Sequence, residues 1–478
     1  MSVSVGDTLS GDLVEIGQSG TIGLYVCGPT VYNHPHIGNI RAPLFWDVVA
    51  RYLKSRGYEA MFVQNITDIE DKIINRANEE GVSWEVIVRR YTYSFHERLD
   101  MLGIGLPDVE PRATEHIPEM ISLIEELIEK SHAYAPGNGD VYYSVESFPE
   151  YGKLSHQRPE EMRETEKGQT GFKKSPLDFA LWKASKPGEP SWESPWGRGR
   201  PGWHIECSAM VEKHLPDGAD IHGGGTDLLF PHHENELAQS AGAHPDRTFV
   251  RAWTHHGMVT LASDKMAKSL GNILDVERAV QLHGPNAVRM WLLQSHYSQP
   301  IDYSEEILEE KRRSYEHLTH LYRQLSGSRS TSKLSDTLAN GMRERFDAAM
   351  RDDFKTPEAI ATIFEFAKRA QRQIFDHPET AEEFSSLAEA LRDSLTILGF
   401  DLEEEAEDEV GGIRLRYPTG LDKASLNYLV QQYILRRDKA RDEHDWAVAD
   451  RLREEMRSRG WEIEDNPEYT RIYPAKNI

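Results

Sequence analysis

The chain has 478 residues, enough for about three domains of ordinary size. Its formal net charge of -24 argues against binding nucleic acid through bulk positive charge, although local Lys and Arg patches can still contact phosphates. The sequence contains neither an apolar run of roughly 18 residues nor the pattern of a signal peptide, and its two cysteines are no disulfide framework. We therefore expect a soluble, cytoplasmic protein with no membrane partner.

The first 81 residues predict the opening of a nucleotide-binding α/β fold. Residues 21–26 form a β-rich run that ends at Cys27-Gly28-Pro29, which predicts a strand entering a turn. Residues 42–53 are apolar at helical spacing, residues 59–65 predict a second strand, and residues 66–81 a second helix. Strand, turn, helix and strand in this order make a βαβ unit of the Rossmann-like type.

The tetrapeptide from His36 to Asn39, His-Ile-Gly-Asn, lies in the turn between the first strand and its helix. The N–H groups at a helix start can hold phosphate, and His36 and Asn39 could donate hydrogen bonds to phosphate oxygens in a transition state. As a bare tetrapeptide this signal is weak, because a loop histidine is more often incidental.

The stretch from Gly202 to Glu236 contains a dense group of candidate metal ligands: Cys207, His204, His214, His222, His232, His233, Glu206, Glu234 and Glu236. Sulfur, imidazole and carboxylate are the ligands of tetrahedral zinc. Pro231 suits the first turn of a helix, which would place His232 and Glu236 on one helical face. We therefore predict zinc at Cys27, Cys207, His232 and Glu236, provided that the fold brings Cys27 to Cys207.

Spacing alone leaves other assignments of this stretch open. His233 with Glu236, or Glu234 as a ligand, fit the same pattern. Lone cysteines are often small buried hydrophobic residues, and no CxxC pair is present.

Between the two cysteine-containing stretches, residues 110–200 predict a looser insertion. It combines an amphipathic helix, a strand at residues 140–144, an acidic loop and a segment rich in Trp, Gly and Pro at residues 188–201. Farther along, Lys265 and Lys268 lie in a loop with Ser, Gly and Asn, where paired lysines suit the charge of a triphosphate. Paired surface lysines more commonly contribute only solubility.

The remainder of the chain is mainly helical in pattern. Residues 305–399 have the period of a helical bundle, and residues 401–412 predict a mobile acidic linker. The last segment predicts helix, turn, helix and a short strand, with clustered arginines that suit either RNA contact or a solvated, ion-paired face.

The motifs YVCGPTVYNHPHIGN, NITDIEDKI, DIHGGGTDLLFPHHENELAQS and KMAKSLGN occur in the order found in one family. The chain resembles cysteinyl-tRNA synthetases, a family of class I aminoacyl-tRNA synthetases, over nearly its whole length. His36 to Asn39 correspond to the class signature HIGH, and Lys265 to Ser269 correspond to KMSKS. Asn39 replaces the second histidine of HIGH. Ala267 replaces the middle serine of KMSKS, which removes one hydroxyl and leaves both lysines.

The resemblance implies a role for each motif residue. It supports zinc at Cys27, Cys207, His232 and Glu236. It assigns the catalytic groups to His36, Asn39, Lys265 and Lys268. It places Thr67, Trp203 and His222 in the pocket for cysteine. It places Gly28, Asp227 and Lys268 at ATP, which Mg²⁺ would accompany.

The resemblance also implies an arrangement of domains: a Rossmann-like catalytic domain at residues 1–260, with the insertion at about 110–200, and a KMSKS loop and stem-contact region at 261–330. An α-helical bundle at 331–400 and a small α+β anticodon-binding region at 413–478 would follow.

The implied activity is the ATP-dependent ligation of L-cysteine to the 3′ end of tRNA(Cys). The implied oligomeric state is a monomer. Rival interpretations are a related cysteine ligase that acts on an amino-sugar, and a non-catalytic RNA-binding protein stabilised by zinc.

Overall fold

The computed structural model describes residues 2–17, 20–159, 162, 170–261, 264–265, 274–400, 402, 405–410, 412–418, 423–465 and 470–474. The chain divides into two compact units, Met1–Phe400 and Asp401–Ile478. The finer division of the first 400 residues into three domains stays a prediction. Among the described helices, none combines the length and the apolar content that a membrane crossing requires.

The strands of the first unit are β1 Val3–Gly6, β2 Leu13–Ile16, β3 Thr21–Val26, β4 Glu59–Gln64, β5 Ala133–Tyr134, β6 Val141–Tyr143, β7 Phe179–Ala184, β8 Gly199–Pro201, β9 Ala219–Gly225, β10 Val250–His256, β11 Val259–Leu261, β12 Asp264–Lys265 and β13 Ile301–Tyr303. Its helices are α1 Ile37–Ser55, α2 Asp71–Glu80, α3 Trp84–Met101, α4 Ile117–Glu129, α5 Trp203–His214, α6 Glu234–Ala243, α7 Val276–His283, α8 Pro285–Leu293, α9 Glu305–Ser326, α10 Lys333–Arg351, α11 Thr356–Asp376 and α12 Ser385–Ile397.

A four-stranded parallel sheet in the order β10-β9-β3-β4 forms the centre of this unit. The predicted strands at residues 21–26 and 59–65 are confirmed as β3 and β4, and α1 begins directly after His36. Most residues of β3 and β9 are buried, as expected for a parallel sheet with both faces covered. Because β4 and β9 flank β3 on opposite sides, the carboxyl edge beside β3 is the position where such sheets bind ligands.

The insertion folds as an antiparallel sheet in the order β5-β6-β7-β8, packed against α4 and α5. Its core includes Leu123, Tyr143, Phe179 and Trp182. Helices α9 to α12 pack against one another and bury Leu338, Phe346 and Leu391, as the helical period of residues 305–399 predicted.

The second unit contains β14 Glu405–Val410, β15 Ile413–Pro418, α13 Lys423–Leu429, a π turn at Val430–Ile434, α14 Leu435–Asp442, α15 Trp446–Ser458, β16 Trp461–Asp465 and β17 Thr470–Pro474. Its sheet has the order β14-β15-β17-β16 and packs on a core that includes Leu415, Ile434 and Leu452. The small α+β fold expected for this region is present.

The prediction of a mobile linker at residues 401–412 is wrong for the part that the structure describes. Residues 405–410 are β14, an edge strand paired antiparallel with β15. The register places Glu409 opposite Arg414, and opposite charges on facing strand residues stabilise such a pair. The acidic composition suggested a linker, whereas the basic residues that follow it provide a partner strand.

Candidate active site and metal centre

A cavity of about 610 Å³ opens at the carboxyl edge of the central sheet. Residues that follow each of the four parallel strands form its walls, in agreement with the position expected from the strand order. The predicted site residues that line it are Cys27, Gly28, His36, Asn39, Thr67, Trp203, Cys207, Asp227 and His232.

Four predicted metal ligands meet at the floor of this cavity. The Cys27 and Cys207 sulfurs lie 3.7 Å apart, and Glu236 Oε1 lies 3.7 Å from Cys27 Sγ and 3.1 Å from His232 Nε2. One ligand atom from each residue lies within 4.8 Å of the others. A tetrahedral zinc with bonds of about 2.0–2.3 Å separates its ligand atoms by roughly 3.3–3.8 Å, so the spacing fits that ion.

Two glycines allow the chain to bring these ligands together. A Cβ on Gly28 would lie 1.5 Å from the Asn65 carbonyl oxygen, so only glycine permits the turn after Cys27 to cross the end of β4. A Cβ on Gly202 would lie 1.9 Å from the Ala180 oxygen, at the point where α5 begins beside β7. Close backbone approach at these two positions directs Cys27 and Cys207 to one point.

His232 and Glu236 come from the start of α6. The structure places His232 in a π turn, Leu229–His233, that leads into α6, whereas we expected Pro231 in the first turn of the helix itself. Phe230 has a non-helical backbone (φ -135°), so the regular helix begins only at Glu234. The four-residue spacing that we predicted from this region still pairs His232 with Glu236.

Burial strongly affects the pKa values of the four residues in this cluster. Burial raises the pKa of Cys27 and of Glu236, while a hydrogen bond from the Cys27 thiol lowers the pKa of Cys207 to about 6 against the effect of burial. Burial opposes protonation of His232, but Glu236 and Cys207 together outweigh burial and raise the pKa of His232 to about 10. Glu236 Oε2 is buried without a hydrogen-bond partner in the described part of the chain. A divalent cation would satisfy these groups, so the residues fit zinc.

A second set of potential ligands has two residues, Cys27 and Glu236, in common with the first. Cys27, His222, His233 and Glu236 also place ligand atoms within 4.8 Å of one another. His233 Nε2 lies 3.4 Å from Cys27 Sγ, and its Nδ1 lies 2.9 Å from His255 Nε2. This set lacks the second sulfur, and the low pKa of Cys207 favours the set that includes it as a thiolate.

The alternative with Glu234 as a ligand does not fit the structure. Its carboxylate accepts hydrogen bonds from the backbone N–H groups of Gly152 at 2.9 Å and Ser155 at 2.7 Å. It belongs to neither group of candidate ligands. Glu234 instead joins the start of α6 to the loop after β6.

The residues predicted to bind cysteine occupy two layers. Thr67 and Trp203 line the cavity, and the Trp203 ring lies 4.4 Å from the His232 ring. His222 is fully buried beneath them, with Nε2 3.5 Å from both Cys27 Sγ and Glu236 Oε2. It therefore supports the floor of the cavity and is absent from its described lining.

The residues predicted to bind ATP come from the ends of β3 and β9. Gly28, Asp227, His36 and Asn39 line the cavity, and Asn39 Oδ1 accepts a hydrogen bond of 3.0 Å from the His36 backbone N–H. This contact is half of a capping box at the start of α1.

The two predicted lysines are described incompletely or not at all. Lys265 lies in β12 opposite Thr260, and its side chain is outside the described residues. Lys268 lies wholly outside them.

Two buried histidines next to the site make contacts that the sequence analysis did not predict: His204, named there only as a candidate ligand, and His256, not named there. His204 Nδ1 lies 3.0 Å from His232 Nδ1, and His256 Nδ1 donates to the Gly224 carbonyl oxygen at 2.8 Å. Burial lowers the pKa of His256 to about 3. Its Nε2 is buried without a partner in the described part of the chain, and the residue lines the cavity. The only sequence signal was a pair of histidines at the end of a buried strand.

The similarities to known proteins agree with this geometry. The family described as tRNA synthetases class I (C) catalytic domain matches residues 13–313, and the DALR domain matches residues 345–403. The chain is 68% identical over 465 residues to the cysteine–tRNA ligase of Rubrobacter xylanophilus, covering 97% of this chain and 98% of that protein. It is 46% identical over 461 residues to the cysteine–tRNA ligase of Alkalilimnicola ehrlichii, covering 95% of each.

A solved structure, Mycobacterium tuberculosis methionyl-tRNA synthetase in complex with methionyl-adenylate, is similar with a TM-score of 0.60. The identity is 16%, over 79% of this chain and 89% of that one, so this likeness shows the fold alone. The predicted α/β catalytic fold with helical and C-terminal parts is confirmed. The chain belongs to the cysteine–tRNA ligase family and carries a class I aminoacyl-tRNA synthetase catalytic domain.

Proposed function

We propose that this cavity joins L-cysteine to the 3′ end of tRNA through a cysteinyl-adenylate, and that zinc held at its floor selects the amino acid. The ATP-dependent ligase activity follows from membership of the family. The buried cluster of Cys27, Cys207, His232 and Glu236 carries the proposal for the amino acid, because it suits a thiolate ligand.

In the first step the cysteine carboxylate attacks the α-phosphorus of ATP, and pyrophosphate leaves. The protein supplies no nucleophile, so it accelerates the step by positioning the substrates and stabilising negative charge. His36 and the N–H groups at the start of α1 would hold the phosphates. Lys265 and Lys268 would neutralise the triphosphate, and Mg²⁺ would accompany ATP.

The capping contact explains how asparagine can replace the second histidine of the class signature. Asn39 Oδ1 is engaged by the His36 N–H, so the amide orientation is set by that bond. The Asn39 NH₂ group then remains as a donor for a phosphate oxygen. A donor at this position is what charge stabilisation in the transition state requires.

In the second step a ribose hydroxyl of the tRNA attacks the activated carbonyl, and AMP leaves. The cysteine–tRNA ligase of Rubrobacter xylanophilus matches 97% of this chain, so the second unit is part of the shared sequence. This supports tRNA as the acceptor over an amino-sugar.

The amino-acid pocket must distinguish cysteine from serine, which differ by one atom. Shape alone discriminates poorly between such near-isosteres. A bound zinc would supply a soft Lewis acid that prefers a thiolate to a hydroxyl. The protein would contribute Trp203 and Thr67 as walls, and His222 as a buried support that excludes water from the floor.

The test is cysteine- and serine-dependent ATP–pyrophosphate exchange, measured together with zinc content. We expect the parent protein to hold one zinc and to prefer cysteine strongly. Cys207→Ala should lose both the zinc and the preference. Preference for cysteine that survives in protein proven free of zinc would contradict the proposal.

A further inference from the structure

The cavity has a wall formed by residues that are not among the predicted contacts of ATP or cysteine. Tyr32, His34, Lys72 and Tyr91 line it beyond the ends of β3 and β4. One predicted contact for ATP, Asp227, follows β9, which lies on the other side of β3 from β4. A ligand on the Tyr32 side would therefore approach the cysteine pocket from the β4 side of β3, away from Asp227.

Tyr32 is held next to the cysteine pocket by backbone hydrogen bonds. The Val31 N–H donates to the Thr67 carbonyl oxygen at 3.4 Å, and the Thr67 N–H donates to the Pro29 oxygen at 3.2 Å. The Tyr32 N–H donates to the Thr30 oxygen at 3.1 Å. Tyr32 thus follows directly on a segment that is paired with Thr67, a predicted contact of the amino acid.

Lys72 adds a positive charge to this wall. It is exposed at the start of α2, and its Nζ lies 5.6 Å from the centroid of the Tyr32 ring. Its backbone N–H donates to Glu70 Oε2 at 2.6 Å, which caps the helix and fixes the position from which the side chain extends.

The wall continues into a packed aromatic support. His34 Nδ1 lies 2.7 Å from Ser94 Oγ, and the His34 ring meets the Tyr91 ring edge-on at 5.1 Å. Tyr91 is only 3% exposed. His34 therefore packs against the buried face of α3.

We propose that Tyr32 and Lys72 form a subsite for the 3′-terminal nucleotide of the tRNA, with the base against Tyr32 and a phosphate paired with Lys72. This inference rests on the proposed function, which requires a third substrate whose ribose hydroxyl reaches the aminoacyl carbonyl. An aromatic ring beside a cation is the usual chemistry for binding single-stranded nucleic acid. Its position beside Thr67 brings such a nucleotide to the amino-acid end of the adenylate.

The first test measures activation of cysteine and transfer to tRNA separately in the variants Lys72→Met and Tyr32→Leu. ATP–pyrophosphate exchange reports activation, and single-turnover transfer from preformed adenylate to tRNA reports the second step. We expect transfer to fall about tenfold more than exchange in each variant, as for loss of a base-stacking or phosphate contact. Lys174→Met is the matched control, because Lys174 lies 4.2 Å from the Tyr134 ring, away from the cavity, and it should charge tRNA as the parent does.

The second test compares intact tRNA with tRNA that lacks its terminal nucleotide. Truncation should weaken binding to the parent by about tenfold and should change binding to Lys72→Met much less. Equal losses in exchange and transfer would assign the wall to ATP or cysteine and overturn the subsite. Equal truncation effects in parent and variant would also overturn it. If the parent itself shows no exchange with cysteine, the proposed function fails instead.

Discussion

The floor and the rim of the cavity are built in opposite ways. Cys207 and Glu236 of the floor, and His222 beneath it, are at most 2% exposed. Burial is the main cause of the raised pKa of Glu236 and of the lowered pKa of His222. The rim presents His34, Asn39 and Lys72 to solvent. Under the proposed function, the buried floor would select the amino acid, whereas the large substrates would meet the exposed groups at the entrance.

The largest effect should come from removing one ligand of the floor. His232→Asn breaks a buried ion pair with Glu236, and losing one partner of such a pair costs about 3–5 kcal/mol. We expect zinc to be lost and kcat/KM for cysteine in exchange to fall by roughly 100- to 5,000-fold, the factor that corresponds to this free energy. His233→Asn is the matched control, since it alters the neighbouring histidine of the alternative ligand set. Loss of zinc in His233→Asn with zinc retained in His232→Asn would favour the alternative set.

An intermediate effect should come from the rim. Asn39→Asp keeps an oxygen to accept the His36 N–H but removes the NH₂ donor and adds negative charge. We expect kcat for exchange to fall by roughly 100-fold, the usual effect of losing one donor to a developing charge. Zinc content should stay that of the parent. A variant that lost zinc would show that rim and floor are not separate.

The smallest effect should come from substitution of His204, which lies behind the floor of the cavity. His204 is 1% exposed, and burial lowers its pKa well below the ordinary value, so it is neutral and can accept the His232 Nδ1–H. Such a contact orients a metal-binding histidine, and we expect His204→Leu to weaken zinc binding by about tenfold. His204→Gln retains an acceptor and should recover most of the affinity. Chelator competition measures both, and equal affinity in all three proteins would exclude a positioning role.

Much of the fold was predictable because its signals are local. The strands β3 and β4 and the start of α1 follow from short apolar runs and the His36–Asn39 turn. The pairing of His232 with Glu236 follows from helical spacing. The approach of Cys27 to Cys207, which are 180 residues apart, depends on the close backbone contacts of Gly28 and Gly202, so spacing alone left it open.

The parts that were missed depend on tertiary partners. The acidic stretch at residues 405–410 forms a strand that pairs with β15, in a register that places Glu409 opposite Arg414. His204 and His256 gain their roles from contacts with His232 and the Gly224 carbonyl group. The wall of Tyr32 and Lys72 combines residues from a loop and a helix that no sequence period links.

The most direct test of the account is X-ray absorption at the zinc edge, with and without cysteine. In the free protein we expect two sulfur ligands, from Cys27 and Cys207, at about 2.3 Å, together with lighter ligands from His232 and Glu236. Addition of cysteine should raise the number of sulfur ligands to three, and addition of serine should leave the spectrum unchanged. A protein without zinc, or a zinc whose sulfur ligands do not increase with cysteine, would contradict selection of cysteine by a metal–thiolate bond.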